Sequence, residues 1–428
     1  ILPIVLIYSA FASTLNAQTQ LGSDIDGVAA GDYFGYAVSI DSDGDRIAIG
    51  GQNNDDGGTD AGHVRVYEYN SGSWTQLGGD IDGEAVEDRS GSAISLNSNG
   101  DRVAIGAQGN DANGSNSGHV RVYEYSGGSW TQLGSDIDGE SADDVSGSGV
   151  SLNADGNRVA VGAYMNDGNG SNSGHVRIYE YSGGSWTQLG GDIDGEAADD
   201  KSGESISLDS DGDRIAIGAR NNDGNGNNSG HVRVYEYSSG SWTQLGGDID
   251  GAAAGDAIGN FKSVSLNSDG SRVVIGGVGN DANGSNSGHV RVYEYSGGSW
   301  TQLGSDIDGE ASGDFFGNMV SINSDGDRIA VGAEYNDGAG TDAGHVRIYE
   351  YSSGSWTQLG SDIDGEAADD RSGRSVSLDS DGDRVAIGAF FNDGNGSNSG
   401  HVRVYSTRDL TAPTMTITAA EGSDGFTS

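Results

Sequence analysis

The tetrapeptide Gly-His-Val-Arg occurs seven times in this chain, with His63, His119, His175, His231, His289, His345 and His401 spaced 56, 56, 56, 58, 56 and 56 residues apart. These seven are every histidine in the protein. A fixed period of this length means that one supersecondary unit is copied along the chain, each copy burying its apolar face against its neighbours. The single 58-residue step has a local origin. The unit carrying Ala257-Ile258-Gly259-Asn260-Phe261-Lys262 has two extra residues in a loop.

Inside one unit the alternation of apolar and polar residues appears four times, which predicts four strands and no helix. In the fourth copy the strands fall at residues 204–208 (A), 214–218 (B), 231–237 (C) and 241–245 (D). Turn residues separate them: Asp211-Gly212 between A and B, an Asn/Gly-rich stretch between B and C, and Ser238-Ser239-Gly240 between C and D. Four antiparallel strands per unit, repeated seven times, predict an all-β, seven-bladed β-propeller of four-stranded blades. A β-solenoid would use shorter coils, and the Asp/Asn-Gly pair in every A–B connection is the mark of a tight type I′ hairpin.

The ends of the array predict how the ring closes. Six units finish on Ser-Trp-Thr-Gln-Leu-Gly, with Trp74, Trp130, Trp186, Trp242, Trp300 and Trp356, while the seventh stops after Tyr405. Gln18-Thr19-Gln20-Leu21-Gly22 is the missing strand, with Gln18 where Trp would stand. The N-terminal strand is therefore expected to complete the last blade, leaving no open sheet edge.

Composition narrows the function. With 76 Gly, 2 Pro and no Cys, the chain has neither a collagen period nor a disulfide framework nor Cys-ligated metal. Its net charge of −44 repels nucleic acid and anionic membranes, so neither is an expected partner, and it attracts cations. Residues 1–17 open on the apolar run ILPIVLIYSAFA, too short to span a bilayer, with small-residue cleavage patterns after it; they are read as the end of a secretory signal peptide. Residues 18–405 form the repeat array. Residues 406–428 are read as a linker and the first strand of a following, immunoglobulin-like domain, so further domains are expected C-terminally.

Several motifs in the unit together resemble the FG-GAP repeat of integrin α-subunit propellers and of many bacterial secreted proteins. Phe34-Gly35 and Phe316-Gly317 stand as the Phe-Gly element, Val161-Gly162-Ala163 and Ile387-Gly388-Ala389 look like Gly-Ala, and Gly-His-Val-Arg-Val-Tyr matches the strand that follows. Most copies carry Ser-Gly in place of Phe-Gly, as at Ser90-Gly91 and Ser202-Gly203, and none has Pro after Gly-Ala. The resemblance implies a secreted or cell-surface, bacterial propeller. It also implies calcium at the A–B loop, where Asp41, Asp43 and Asp45 keep the alternating carboxylates such a site needs. Against calcium, other copies put amides or Ser there, and the loop is about three residues shorter than the calcium-binding version. The turn reading is preferred.

Two loop sets on the opposite face are the other candidates. The D–A loop carries Asp-Ile-Asp-Gly in every unit, as at Asp24 and Asp26 or Asp192 and Asp194, a candidate cation set. The B–C loop carries Asp55, Asp111, Asp167, Asp223, Asp281, Asp337 and Asp393, a candidate ring for a protein or carbohydrate ligand. The competing reading is that these Asp cap turns and pair with Arg, 14 of the 21 basic residues being two fixed arginines per blade. The repeated His is expected to be a packing contact, and no unit holds a nucleophile with a partner set, so an enzyme is not expected. The chain reads as an extracellular binding or adhesion module presenting an acidic loop face, with Ca2+ as a candidate aid. A spacer without a ligand is the alternative, and a propeller hydrolase or lyase ranks last.

Overall fold

The computed structural model describes residues 18–408; the expectations for residues 1–17 and 409–428 lie outside the described residues. Seven antiparallel sheets follow one another, with no helix among the described residues. In blade 1, strand A is Phe34–Ile40, B is Arg46–Gly51, C is His63–Asn70 and D is Ser73–Gln76. A short fifth segment, Ile81–Asp82, folds back onto the start of C, pairing Val64 with Ile81 and His63 with Asp82. The sequence reading did not contain this segment, because two residues are too few to show a period.

Strand A of each blade lines the axis, and its Ser hydroxyl reaches the next blade: Ser39 Oγ accepts from Leu96 N at 2.9 Å, and Ser377 Oγ from Ile40 N at 3.1 Å. The faces of adjacent blades bury aliphatic side chains together. Phe34, Val38, Ile40, Ile47 and Ile49 of blade 1 pack on Ala386, Val402 and Val404 of blade 7. Strand D is the outer edge, where Ser73, Thr75 and Gln76 are exposed and Trp74 is half-buried.

The turns distribute differently from expectation. At the A–B turn only the glycine is left-handed (Gly44, φ 70°), and Gly44 N donates to Asp41 O, so this is a type I turn followed by a left-handed glycine, not type I′. The type I′ geometry belongs to the C–D turn, where Ser71 and Gly72 have φ of 52° and 91° between paired Asn70 and Ser73.

Three inter-blade joins recur round the ring, the first two at all seven boundaries and the third, through tryptophan, at six. The A–B turns form a closed belt of backbone hydrogen bonds, from Ser42 N to Ser98 O at 3.1 Å round to Ser380 N on Ser42 O at 3.1 Å. The glycine of strand B meets the strand-A glycine of the next blade: a Cβ on Gly50 would fall inside the Gly91 carbonyl, and Gly91 is held at φ +89°. Each Trp donates Nε1–H to a leucine carbonyl of the preceding blade, as Trp130 does to Leu77 O at 2.8 Å.

Closure follows the expected route. Thr19 and Gln20 pair with Ser406 and Tyr405, and Ile25 and Asp26 with Val402 and His401. Gln18 also takes over the bond of the absent Trp, its Nε2 donating to Leu359 O at 2.7 Å. Deleting residues 18–22 removes the Thr19 and Gln20 pairing, the Gln18 bond and the packing of Leu21, a loss of about 3 kcal/mol or more; the melting temperature is expected to fall by several degrees, and an unchanged melt would contradict closure. Gly91→Ala forces a side chain into both a left-handed backbone and a neighbouring strand, and is expected to cost more than about 1 kcal/mol in a denaturant titration.

Candidate functional site

On the face formed by the D–A and B–C loops, the sequence candidates converge on each histidine. Each begins strand C, is almost fully buried, and turns Nδ1 toward a D–A carboxylate: His345 lies 3.7 Å from Asp362, and His401 3.9 Å from Asp24. These separations exceed a hydrogen bond. In blades 1, 2, 4 and 5 neither ring nitrogen has a partner. Burial, then the arginine two residues on, pushes His63, His175, His231, His289, His345 and His401 down to about 4, so the rings are neutral at pH 7. Asp24, Asp26 and His401 form one potential three-ligand set, and Glu140, His175 and Asp192 another.

Glu140 of these, and other carboxylates of the D–A loops, are engaged by arginine. Arg121, Arg177, Arg233 and Arg403 pair with Glu84, Glu140, Glu196 and Glu366 of the preceding D–A loop. Where that position is Val28 or Ala252 instead of Glu, the arginine turns to its own blade: Arg65 reaches Asp80 at 2.7 Å, and Arg291 grips Asp306 through Nε and Nη2. Arg347 meets both Glu310 and Asp362. Asp24 and Asp192 are also bound by Gln20 and Gln188, each at 2.6 Å, while the Asp194 carbonyl accepts from Arg233.

The remaining candidates cap turns. Asp55, Asp111, Asp167, Asp223, Asp281, Asp337 and Asp393 each accept, through Oδ1, the backbone N–H five residues ahead at 2.7–2.9 Å. They stand exposed on the rim with the second oxygen open. In the A–B loop, Asp41 turns inward so that Oδ1 accepts from Arg46 N at 3.0 Å, and Asp43 points out at the turn tip. Burial raises the Asp41 carboxyl, and Asp45 beside it adds to the shift.

The site that the motif reading missed lies where the channel opens on the D–A/B–C face. There the blades cease to be alike. The residue after the strand-A glycine is Tyr36, Ser92, Ser148, Glu204, Asn260, Asn318 or Arg374. The residue two after the strand-B glycine is Gln52, Gln108, Tyr164, Arg220, Val278, Glu334 or Phe390. A third position, just before strand A, holds Tyr33, Arg89, Val145, Lys201, Ala257, Phe315 or Arg371, all left-handed with φ of 50–57°. Non-glycine residues adopt this conformation at a cost of roughly 1 kcal/mol or more, and it clusters where side chains are held for use.

These divergent side chains touch. Arg220 pairs with Glu204 at 2.8 Å and donates to Asn260 Oδ1 at 2.9 Å. Arg374 lies 3.6 Å from Glu334, which accepts from Asn318 at 2.6 Å, and its guanidinium sits 4.4 Å over the Tyr36 ring. Arg371 stacks on Tyr335 and Phe391, and Tyr33, Tyr36 and Phe390 meet edge to face. The two-residue insertion of blade 5 places Phe261 and Lys262 in the mouth, beside a cavity of about 240 Å³ that Tyr36, Tyr164, Glu204 and Arg374 also line. Burial, then Arg374, pushes the Lys262 amine down to about 7; burial raises Glu204 and Glu334. The signal available in the sequence was variation: three columns of an otherwise uniform repeat, and its single insertion.

A proton-carbon NMR titration of the imidazole rings checks the histidine environment. Because the folded values lie below the ordinary 6.5, protons are taken up only as pH falls toward about 4; the ring signals are expected to hold still from pH 7 to 5.5. Titration midpoints near 6.5 would contradict the burial described.

Comparison with known proteins bears on the fold. A family model described as FG-GAP repeat matches residues 25–67, 306–349 and 362–405, each running from the D–A loop through strand C. No match is found among curated proteins. Of solved structures, hydrazine synthase of Kuenenia stuttgartiensis superposes with a TM-score of 0.54 at 14% identity, over 90% of this chain and 97% of that one. A putative 6-phosphogluconolactonase from Bacteroides uniformis gives 0.53 at 11% identity, covering 80% of this chain and 88% of that one. The periplasmic gluconolactonase of Pseudomonas aeruginosa gives 0.52 at 16%, covering 78% and 86%. At such identities the likeness is one of fold. The chain is a seven-bladed β-propeller that carries FG-GAP repeats.

Proposed function

We propose that this protein is an extracellular binding module that holds its ligand at the channel mouth of the D–A/B–C face. One observation carries the reading. The blades are interchangeable in their joins, turns and histidines, and side chains that differ from blade to blade gather from all seven at that mouth alone. A recognition site for a single asymmetric ligand needs such unlike groups, which a sevenfold ring of identical loops does not supply. The rim aspartates are given a structural part, because each already spends an oxygen on a turn or an arginine. Export is supported by the apolar segment before residue 18 and by the FG-GAP likeness. Recognition is not routed through calcium in this reading: Glu84, Glu140 and Asp306 of the D–A loops are matched by guanidinium groups, and Asp24 and Asp192 are held by Gln20 and Gln188.

A second reading, catalysis at the same mouth, is favoured by Lys262, whose amine near neutrality is suited to proton transfer. Turnover of a bound ligand would select it.

A glycan and surface-protein array, run with calcium and with chelator, tests the proposal on the wild type and on a variant lacking Phe261 and Lys262, which restores the 56-residue period. The wild type is expected to bind equally in both conditions and the deletion variant to bind nothing. A blank array for the wild type would favour a spacer, and unchanged binding by the variant would move the site to the rim.

A further inference from the structure

In a chain of net charge −44, the placement of the basic residues is informative. Fourteen are the two fixed arginines per blade, tied into joins and ion pairs. The other seven are Arg89, Lys201, Arg220, Lys262, Arg371, Arg374 and Arg408, and all but Arg408 occupy the divergent positions of the mouth. Two of them, Lys262 and Arg374, line the cavity itself. No carboxylate lies within ion-pair distance of Lys262 among the described residues, and the carboxylate nearest Arg374 is shared with Asn318. Positive charge is thus brought into a partly desolvated cavity and left under-compensated, a costly arrangement that a bound anion would relieve.

The cavity also limits what the anion carries. About 240 Å³ is smaller than the roughly 300–1,000 Å³ that takes a drug-sized ligand, so it fits one small ring. Ser92, Ser148 and Gln108 place neutral hydrogen-bonding groups in the lining, and Phe261 and Tyr164 place aromatic rings there, Arg220 lying over both and Arg374 over Phe261. Phe261 is 36% exposed at the entrance, one of few large apolar side chains left in solvent. Hydroxyl and amide groups beside aromatic faces suit a body with C–H faces and a hydroxylated edge. Glu204 stands in the same lining, so a monoanion is better tolerated than a phosphate dianion.

We infer that the mouth binds a sugar acid, its single carboxylate between Lys262 and Arg374 and its ring against Phe261 and Tyr164. This rests on the mouth-binding reading above and adds the chemistry of the ligand. Because Lys262 gains its proton when the carboxylate binds, and a sugar carboxylate is ionised throughout pH 6–9, affinity is greatest below pH 7. It falls by about tenfold per pH unit above that, until the pKa of the bound state is passed.

The test is titration calorimetry of the whole protein with D-glucuronate, D-galacturonate, D-glucose and D-glucose 6-phosphate between pH 6 and 9. One of the two acids is expected to bind at least tenfold tighter than the neutral sugar and the phosphate, with the pH dependence given above. Lys262→Met is expected to melt no lower than wild type, since it removes a desolvated amine, yet to lose about tenfold in affinity at pH 6 and to flatten the profile. Arg374→Met is expected to weaken binding at every pH. Equal affinity for glucose, a flat wild-type profile, preference for the phosphate, or an unaffected Lys262→Met variant would each overturn the sugar-acid inference. So would the absence of binding to either acid, whereas an array ligand lost with Phe261 and Lys262 would keep the mouth reading standing.

Discussion

The contact on which the ring depends is the approach of two glycines across each blade boundary. Gly50 of strand B lies against Gly91 of the next strand A, and the same meeting recurs at every boundary, ending with Gly388 against Gly35. A side chain on either partner would push adjacent sheets apart, and the strand-A member also needs a left-handed backbone. Close approach there lets the Ser39-type hydroxyls reach the neighbouring N–H groups and the A–B turns join into a belt. Seven blades then share one axis, and the apolar faces between them exclude water. The Phe-Gly and Gly-Ala elements of the repeat are thus the two halves of one joint.

Much of this was legible because repetition multiplies a weak signal. Four short strands would be uncertain in one unit; seven aligned copies fix them, and the N-terminal strand is recognised because Gln18 to Gly22 fits a vacancy in the seventh copy. The structure shows Gln18 making the bond that tryptophan makes elsewhere. The A–B turn was misjudged for a physical reason. An Asp-Gly pair serves both type I′ and type I followed by a left-handed glycine, and only the dihedral angles separate them. The fold-back Ile81–Asp82 segment is too short to announce itself, although it sets Asp80 and Asp82 beside His63.

The site was less legible, because identity between copies draws the eye to what is shared. Shared residues here build the scaffold: histidines buried beside the D–A loops, arginines that choose Glu84 or Asp80 according to which carboxylate is present, aspartates that cap their own turns. Chemistry specific to one ligand needs unlike residues, and a tandem array supplies these only where its copies have drifted or gained an insertion. Phe261, Lys262, Glu204, Arg220, Glu334 and Arg374 are such residues, and closure of the ring brings them from four different blades to one opening. The scaffold is sevenfold and the opening is not.

That contrast is the central claim, and the position of a bound ligand tests it most directly. In crystals soaked with D-glucuronate or D-galacturonate, difference density is expected in the channel mouth, with a carboxylate against Lys262 and Arg374. Density repeated around the acidic rim, or lodged at the opposite mouth inside the belt of A–B turns, would contradict the account.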